Sequence, residues 1–182
     1  MIVIAVSGVF RHSPVVNMIR TIVSLSGKKV SVIESYELSY LTMGREMLKD
    51  YIDEIEKSGV DIAIIRIIPE KISEGIYEHI HFNILVYDNL INNRGKGYDK
   101  NTLYQLKKIF NNMCREAIAI INIDDKEALQ LLEGSKMQVI SYGLSSKATI
   151  TASSIEEGIH SRKLIYCLQR AIRTQGARMI EP

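Results

Sequence analysis

Ile2-Val3-Ile4-Ala5-Val6 opens the chain, and Gly8-Val9-Phe10-Arg11-His12-Ser13 follows after a single serine. The first run is apolar throughout, as a strand buried on both faces should be. A helical pattern then begins at Ser13-Pro14, where serine suits the N-cap and proline suits the first helical position. A second strand-like run covers 29–34. Strand, tight loop, helix and strand form the unit that points backbone N–H groups at a phosphate.

The loop from Gly8 to Ser13 has the position of a phosphate-binding loop without its usual sequence. A working loop reads G-x-x-x-x-G-K-[ST], in which glycine allows close backbone approach and lysine supplies positive charge. Here Arg11 replaces the second glycine and His12 replaces the lysine, so only Gly8 and the hydroxyl of Ser13 remain. Three interpretations stay open: a turn without a ligand, a residual anion or nucleotide site, and a working ATP site.

Apolar runs of strand length alternate with helical patterns along most of the chain. This alternation predicts the α/β class, with a mostly parallel sheet that has helices on both faces. Glycine follows three of the helical patterns, where it commonly ends a helix. The predicted strands cover 2–7, 29–34, 61–67, 83–87, 117–122 and 137–142, and the predicted helices cover 14–26, 44–58, 70–79, 101–113 and 125–133.

The pattern changes after Gly143. Residues 148–155 and 162–170 are typical of strands, 173–176 of a turn, and 177–180 of a third strand. We expect a small antiparallel sheet appended to the main one. At 182 residues the chain fits one domain, with an α/β core over 1–145 and an antiparallel extension over 146–182.

Composition excludes several kinds of partner. Lysine and arginine total 23 against 21 acidic residues, so the net charge of +2 does not favour nucleic acid. No apolar run approaches the roughly 18 residues that a membrane helix needs. Cys114 and Cys167 are isolated and lack metal-ligand spacing, which is typical of a reduced, cytoplasmic protein. The spacing of His79 and His81 predicts exposed loop positions rather than a metal site, and Lys107 and Lys108 suit a solvated helix face.

Four short segments, in order, resemble one known family. They are Gly27-Lys28-Lys29-Val30, Val86-Tyr87-Asp88-Asn89-Leu90, Ile121-Asn122-Ile123-Asp124-Asp125 and Val139-Ile140-Ser141-Tyr142-Gly143-Leu144. They are similar to the G-K-K-V, F-T-N-L, N-x-D-D and V-I-T-Y-G-L segments of the central, ATP-binding domain of the Mur ligases. That family includes the folylpolyglutamate synthases, and the resemblance is nearest to the branch that adds the third residue of the peptidoglycan stem peptide. It implies a P-loop NTPase-like fold.

The resemblance also implies roles for particular residues. Asn122, Asp124 and Asp125 correspond to residues of the adenine pocket, although either aspartate could equally be a helix N-cap. The family holds a metal through a glutamate at the end of the third strand, where this chain has Arg66. A D-H pair of the family corresponds to Asn93-Arg94.

These departures replace acidic positions near the family's metal with neutral or cationic ones. A guanidinium about 6 Å from a divalent cation is repelled by roughly 5–6 kcal/mol at an effective dielectric of about 20. The sequence therefore argues against Mg²⁺, keeps ATP as a candidate ligand and assigns no catalytic residue. Arg11, Arg66 and Arg94 could instead attract an anion to the helix N-terminus at Ser13.

Three functions remain in competition. The leading one is a non-catalytic binding or regulatory module of the Mur ligase type, acting on a small anionic ligand or on another ligase subunit or domain. The second is a component of an ATP-dependent acid–amino-acid ligase, which forms peptidoglycan precursors with the help of additional domains. The third is an unrelated P-loop-like or Rossmann-like domain, since fold alone does not fix function.

Overall fold

An eight-stranded sheet forms the centre of the computed structural model, which describes residues 1–7, 14–33, 45–72, 74–77, 79–87, 100–113, 116–157, 161–174 and 176–182. The strands of this sheet lie in the order β2-β3-β1-β4-β5-β6-β7-β8. Neighbours from β2 to β7 are parallel, and β8 runs antiparallel to β7. The elements in chain order are β1 (Ile2–Ser7), α1 (Pro14–Leu25), β2 (Val30–Ile33), α2 (Arg45–Lys57), β3 (Ile62–Ile67), α3 (Pro69–Ile72), β4 (Ile84–Tyr87), α4 (Lys100–Asn112), β5 (Ile118–Asn122), α5 (Lys126–Leu132), β6 (Gln138–Gly143), β7 (Ile150–Glu157), β8 (Arg162–Leu168), β9 (Ile172–Arg173) and β10 (Met179–Ile180).

The predicted parallel α/β sheet is confirmed, and it separates two apolar cores. Residues of alternating parity on the strands point to opposite faces, as the pleat requires. One face carries the larger core, to which α2, α3, α4 and α5 all contribute buried side chains. The other face carries a smaller core around Ile4, Val6 and Ile64, closed by Val16 of α1. Four helices therefore contribute to the larger core and α1 to the smaller one.

The helix predicted over 70–79 is much shorter than expected. It covers Pro69–Ile72, and turns follow at 74–77. Gly75 has a φ of +71°, which ends the helix at no steric cost, and its N–H bonds to the carbonyl of Ile72 at 3.0 Å. The apolar residues after the glycine still reach the core, because Ile76 and Tyr77 are almost fully buried.

The C-terminal extension differs in its pairing from the expectation. β7 and β8 do not form a separate sheet but continue the main one, because β7 pairs with β6 through Tyr142 and Gly143. The small antiparallel sheet consists instead of β9 and β10. Its turn is closed by two backbone hydrogen bonds between Thr174, Ala177 and Arg178, and Ala177 has a φ of +60°. The predicted strand over 162–170 ends at Leu168.

Within the described ranges, no helix is both long enough and apolar enough to cross a bilayer.

Candidate functional site

The carboxyl ends of β1, β3, β4, β5 and β6 meet at one edge of the sheet, because these strands are parallel. Ligands of open α/β sheets bind at this kind of edge. Four of the predicted site residues fall there within the described ranges, namely Arg66, Asn122, Asp124 and Asp125. The predicted anion-binding residues Gly8, Arg11, His12, Ser13 and Arg94 lie outside the described residues, as does the proposed N-cap role of Ser13.

Arg66, one of the predicted anion-binding residues, lies one residue before the end of β3. It stands in register with Val6 of β1, and only 6% of its surface is exposed. Its parity on the strand matches that of Ile64, so it lies on the face that α1 covers. Helix α1 therefore packs on the same face as this guanidinium. Such an arrangement places a buried positive charge at the carboxyl edge.

Ser7, the last residue of β1, was not singled out from the sequence. It lies in register between Ile67 of β3 and Tyr87 of β4 and is fully buried. Its hydroxyl oxygen has no hydrogen-bond partner in the part of the chain that the structure describes. A buried hydroxyl without a partner costs free energy, so a bound polar group or water at this point would be stabilised.

Asp124 ties together the two loops at the ends of β5 and β6. Its backbone N–H donates to the side-chain oxygen of Asn122 at 3.0 Å, which forms a local turn directly after β5. Its carboxylate then accepts the backbone N–H of Leu144 at 2.6 Å and that of Ser145 at 3.2 Å. The two segments that carried much of the sequence resemblance are thus joined by one side chain.

Gly143 makes the close approach of these loops possible. Its φ is +154°, and a Cβ atom placed on it would lie 2.6 Å from Oδ2 of Asp124 and 2.9 Å from its Cγ. Contacts this short essentially never occur at real Cβ atoms, so any other residue would displace the Asp124 carboxylate from its bonds to Leu144 and Ser145. The glycine in the Tyr142-Gly143-Leu144 segment at the end of β6 is therefore required for steric reasons.

Two tyrosines extend the network to β4. The hydroxyl of the fully buried Tyr87 donates to Oδ2 of Asp125 at 3.2 Å, and the hydroxyl of Tyr142 lies 3.5 Å from the carbonyl oxygen of Tyr87. Asp125 directly precedes α5, which begins at Lys126, and so stands at the position of the N-cap as one of the two interpretations expected. Tyr87 lies in the sequence segment of the resemblance, but its contact with Asp125 depends on the order of the strands.

A reciprocal pair of hydroxyls holds the start of β7 against β6. The N–H of Ser141 donates to the hydroxyl of Thr149 at 3.2 Å, and the N–H of Thr149 donates to the hydroxyl of Ser141 at 3.0 Å. Both residues are buried. The carboxyl end of the β5–β6 region is therefore rigidly hydrogen-bonded by groups of the protein itself.

The described residues contain no group of three or more histidine, cysteine or acidic side chains that could hold a metal ion. His79 and His81 are exposed in the segment before β4, as the sequence predicted, and Cys167 is an exposed free thiol on β8. Lys107 and Lys108 lie on α4, where the Nζ of Lys107 pairs with Glu133 at 3.0 Å.

This chain is similar to one part of each of several solved structures. The structure of UDP-N-acetylmuramoyl-L-alanyl-D-glutamate–2,6-diaminopimelate ligase matches all of this chain and 39% of its own, with a TM-score of 0.76 and 16% identity. The structure of UDP-N-acetylmuramoylalanyl-D-glutamyl-2,6-diaminopimelate–D-alanyl-D-alanyl ligase from Acinetobacter baumannii matches 93% of this chain and 36% of its own, with a TM-score of 0.65 and 15% identity. An FPGS–AMPPCP–folate complex matches 92% and 50%, with a TM-score of 0.55 and 12% identity.

At these identities the solved structures show the fold, and the chain spans 39% of the first of them. No protein with a curated description matches the sequence. The sequence model of the Mur ligase middle domain, however, matches residues 13–175. That match covers most of the chain and includes both loops joined by Asp124, so the expected family resemblance is confirmed. The protein belongs to the Mur ligase middle domain family.

Proposed function

We propose that this Mur ligase middle domain is a binding or regulatory module that takes a small anionic ligand at the carboxyl edge of its sheet and does not catalyse magnesium-dependent ligation. Arg66 is the observation that carries the proposal. Its guanidinium is buried at the end of β3, where the family resemblance implies a metal-binding glutamate. A buried cation strengthens the attraction of an anion and repels a divalent metal.

Ser7 adds a second argument from the same edge. Its hydroxyl is buried and lacks a partner within the described ranges, so it would gain a hydrogen bond from a ligand oxygen. Ser7 and Arg66 belong to neighbouring strands but point to opposite faces, so they would bracket a ligand placed over the strand ends. The undescribed Gly8, Arg11, His12, Ser13 and Arg94 would complete this anion site.

The β5–β6 end is the candidate for a nucleotide base, through Asn122, Asp124 and Asp125. Both carboxylate oxygens of Asp124 already accept backbone N–H bonds, so its contribution to such a site would be to hold Leu144 and Ser145 in place. ATP is therefore a candidate ligand, and Mg²⁺ is not expected to assist it. The free thiol of Cys167 suits a reducing compartment, and we propose that the protein acts in the cytoplasm.

Calorimetric titration with ATP, ADP and inorganic pyrophosphate, each with and without Mg²⁺, tests this function. We expect at least one of these anions to bind, with an affinity that Mg²⁺ does not increase. Arg66→Met should weaken that binding about tenfold, because a charge-assisted hydrogen bond is lost. Arg170→Met, at an exposed position after β8, is the matched control and should leave the affinity unchanged.

Two results would contradict the proposal. Tight binding of ATP that depends on Mg²⁺ would indicate a working nucleotide site. The second is an equal affinity of the wild type and Arg66→Met for every probe, when circular dichroism shows that both proteins are folded. That result would show that Arg66 does not contribute to binding.

A ligase component is the second candidate, and the lengths of the related structures favour it. This chain corresponds to 39% of the first ligase and 36% of the second, so the activity of those proteins involves further parts. We propose that, in this case, another subunit or domain would supply them and the product would be a peptidoglycan precursor. Phosphate release from ATP and Mg²⁺ by this protein, alone and with copurifying chains, separates the two candidates, because the binding module should release none.

A further inference from the structure

A cavity of about 330 Å³ lies at the amino end of β4, the end opposite the carboxyl edge. Its walls are the segment from Ile72 to Asn83 and one side of α4. Asn83 fixes this location, because its side-chain oxygen accepts the N–H of Val3 at 2.8 Å and its carbonyl accepts the N–H of Ile118 at 2.9 Å. The amino ends of β1, β4 and β5 thus meet beside the cavity. Its volume is within the range typical of small-molecule sites.

The floor of the cavity is apolar and belongs to the larger core. Ile72, Tyr77, Phe82 and Ile109 line it, and each is less than 10% exposed. The hydroxyl of Tyr77 lies at the end of β3, where it accepts the N–H of Ile68, the residue that follows the strand, at 3.0 Å. The aromatic and aliphatic surfaces that remain would favour a hydrocarbon or aromatic group.

The rim of the cavity is polar and carries positive charge. Lys108, His79 and His81 are exposed there, and Gln105 is half-buried beside them. The Nζ of Lys108 lies 4.9 Å from the centre of the Tyr104 ring, which keeps it close to the surface of α4. No carboxylate is present among the described lining residues. The charge of this rim therefore complements an anion.

We propose that this cavity binds a small organic anion with an apolar body, such as an aryl or branched aliphatic carboxylate. The body would lie against Tyr77, Phe82 and Ile109, and the carboxylate would pair with Lys108 at the rim. Such a site would be separate from the carboxyl edge, since the two lie at opposite ends of β4. It would give the domain a second ligand whose binding does not depend on residues 8–13.

Titration monitored by ¹H–¹⁵N correlation spectra tests the site, with phenylacetate, indole-3-acetate and 4-methylpentanoate as probes. The neutral control is phenylacetamide, which has the same body as phenylacetate without its charge. We expect saturable shifts of backbone signals in 79–83 and 105–113 with at least one acid. Phenylacetamide should bind about tenfold more weakly than phenylacetate, because the ion pair is lost.

Lys108→Gln and Lys107→Gln provide a matched pair on one helix. Lys108 lines the cavity, whereas Lys107 pairs with Glu133 outside it. We expect Lys108→Gln to weaken binding of the acid about tenfold and Lys107→Gln to change it less than twofold. Gln105→Trp should fill the mouth of the cavity and abolish binding, and Gln105 is half-buried, so the core need not move.

Three outcomes would overturn this inference. The first is the absence of saturable binding by all three acids at millimolar concentration. The second is a set of shifts confined to the carboxyl edge, near 122–125 and 143–145. The third is an equal effect of Lys108→Gln and Lys107→Gln. The first and third outcomes leave the anion site around Arg66 untested, because that site is examined with different probes at the other end of β4. The second outcome would move the acids to the carboxyl edge and so would support an anion site there.

Discussion

The two halves of the carboxyl edge of this sheet satisfy their polar groups in different ways. At the β5–β6 end, Asp124 accepts N–H groups from Leu144 and Ser145, and Ser141 exchanges hydrogen bonds with Thr149. At the β1–β3 end, Arg66 is a buried arginine, and the buried hydroxyl of Ser7 has no hydrogen-bond partner among the described residues.

This difference separates residues that hold the fold from residues that we propose to meet a ligand. The segments that match the family most clearly are those whose polar atoms are used within the protein, as in the contact of Gly143 with Asp124. The position that departs from the family, Arg66, is where the resemblance implies contact with a metal. A ligand site can change its chemistry without unfolding the sheet, because ligands are held by groups whose loss leaves the core intact.

The largest expected effect is that of Gly143→Ala. The added Cβ would lie 2.6 Å from the Asp124 carboxylate at a φ of +154°, so backbone strain and the displaced Asp124 hydrogen bonds should together lower the free energy of unfolding by about 2–3 kcal/mol. Gly134→Ala is the control, because Gly134 also has a positive φ, +84°, but nothing within 4 Å of a Cβ. It should cost about 1 kcal/mol from backbone strain alone. Urea denaturation measures both, and equal losses would show that the contact is unimportant.

Asp124→Ala should have an intermediate effect. It removes an acceptor from two backbone N–H groups at a half-exposed loop, and we expect a loss of about 1–2 kcal/mol in the free energy of unfolding. Asp61→Ala, which removes the acceptor of one N–H, that of Lys29, should cost about half as much.

In the background of Gly143→Ala, Asp124→Ala should instead relieve the clash, so the double variant should be more stable than the sum of the single losses predicts. Strict additivity would contradict the contact.

The smallest effects compare two serines. Ser141→Ala breaks the reciprocal pair with Thr149 and should lower the free energy of unfolding by about 1 kcal/mol. Ser7→Ala removes a buried hydroxyl that lacks a partner in the described ranges, so it should leave stability unchanged or raise it by up to about 1 kcal/mol. Thermal and urea denaturation of the ligand-free protein measure both. A large loss for Ser7→Ala would show that its hydroxyl is already satisfied, and would weaken the proposed anion site.

Much of this fold was predictable from the sequence. The six strands from β1 to β6 lie within about one residue of their predicted bounds, because each is a short and largely apolar run. The helix over 70–79 was predicted too long because apolar periodicity continues through Ile76 and Tyr77, whereas the backbone turns at Gly75. The pairing of β7 with β6 was also missed, since the apolar pattern of a strand does not show which neighbour it pairs with.

The candidate site was predictable only where a residue type carries its own signal. Arg66 was named from the sequence because it stands where the resemblance implies a glutamate, whereas its burial became apparent only in the structure. The roles of Ser7 and Tyr87 were not, because their burial and partners depend on β1 lying between β3 and β4. The sequence places Asp124 and Gly143 in two separate segments of the resemblance. Their contact could not be predicted, because it depends on how the two loops lie in the folded protein.

The contact between Asp124 and Gly143 has a consequence for chimaeras built from this domain and its relatives. The Asp124 carboxylate in the β5–α5 connection bonds to Leu144 in the β6–β7 connection, and only glycine at position 143 leaves room for it. Neither connection can therefore be transplanted alone. A graft that carries 122–125 without 143–145 would leave two amides without their acceptor or introduce a collision. Recombination points should therefore keep both connections from the same parent.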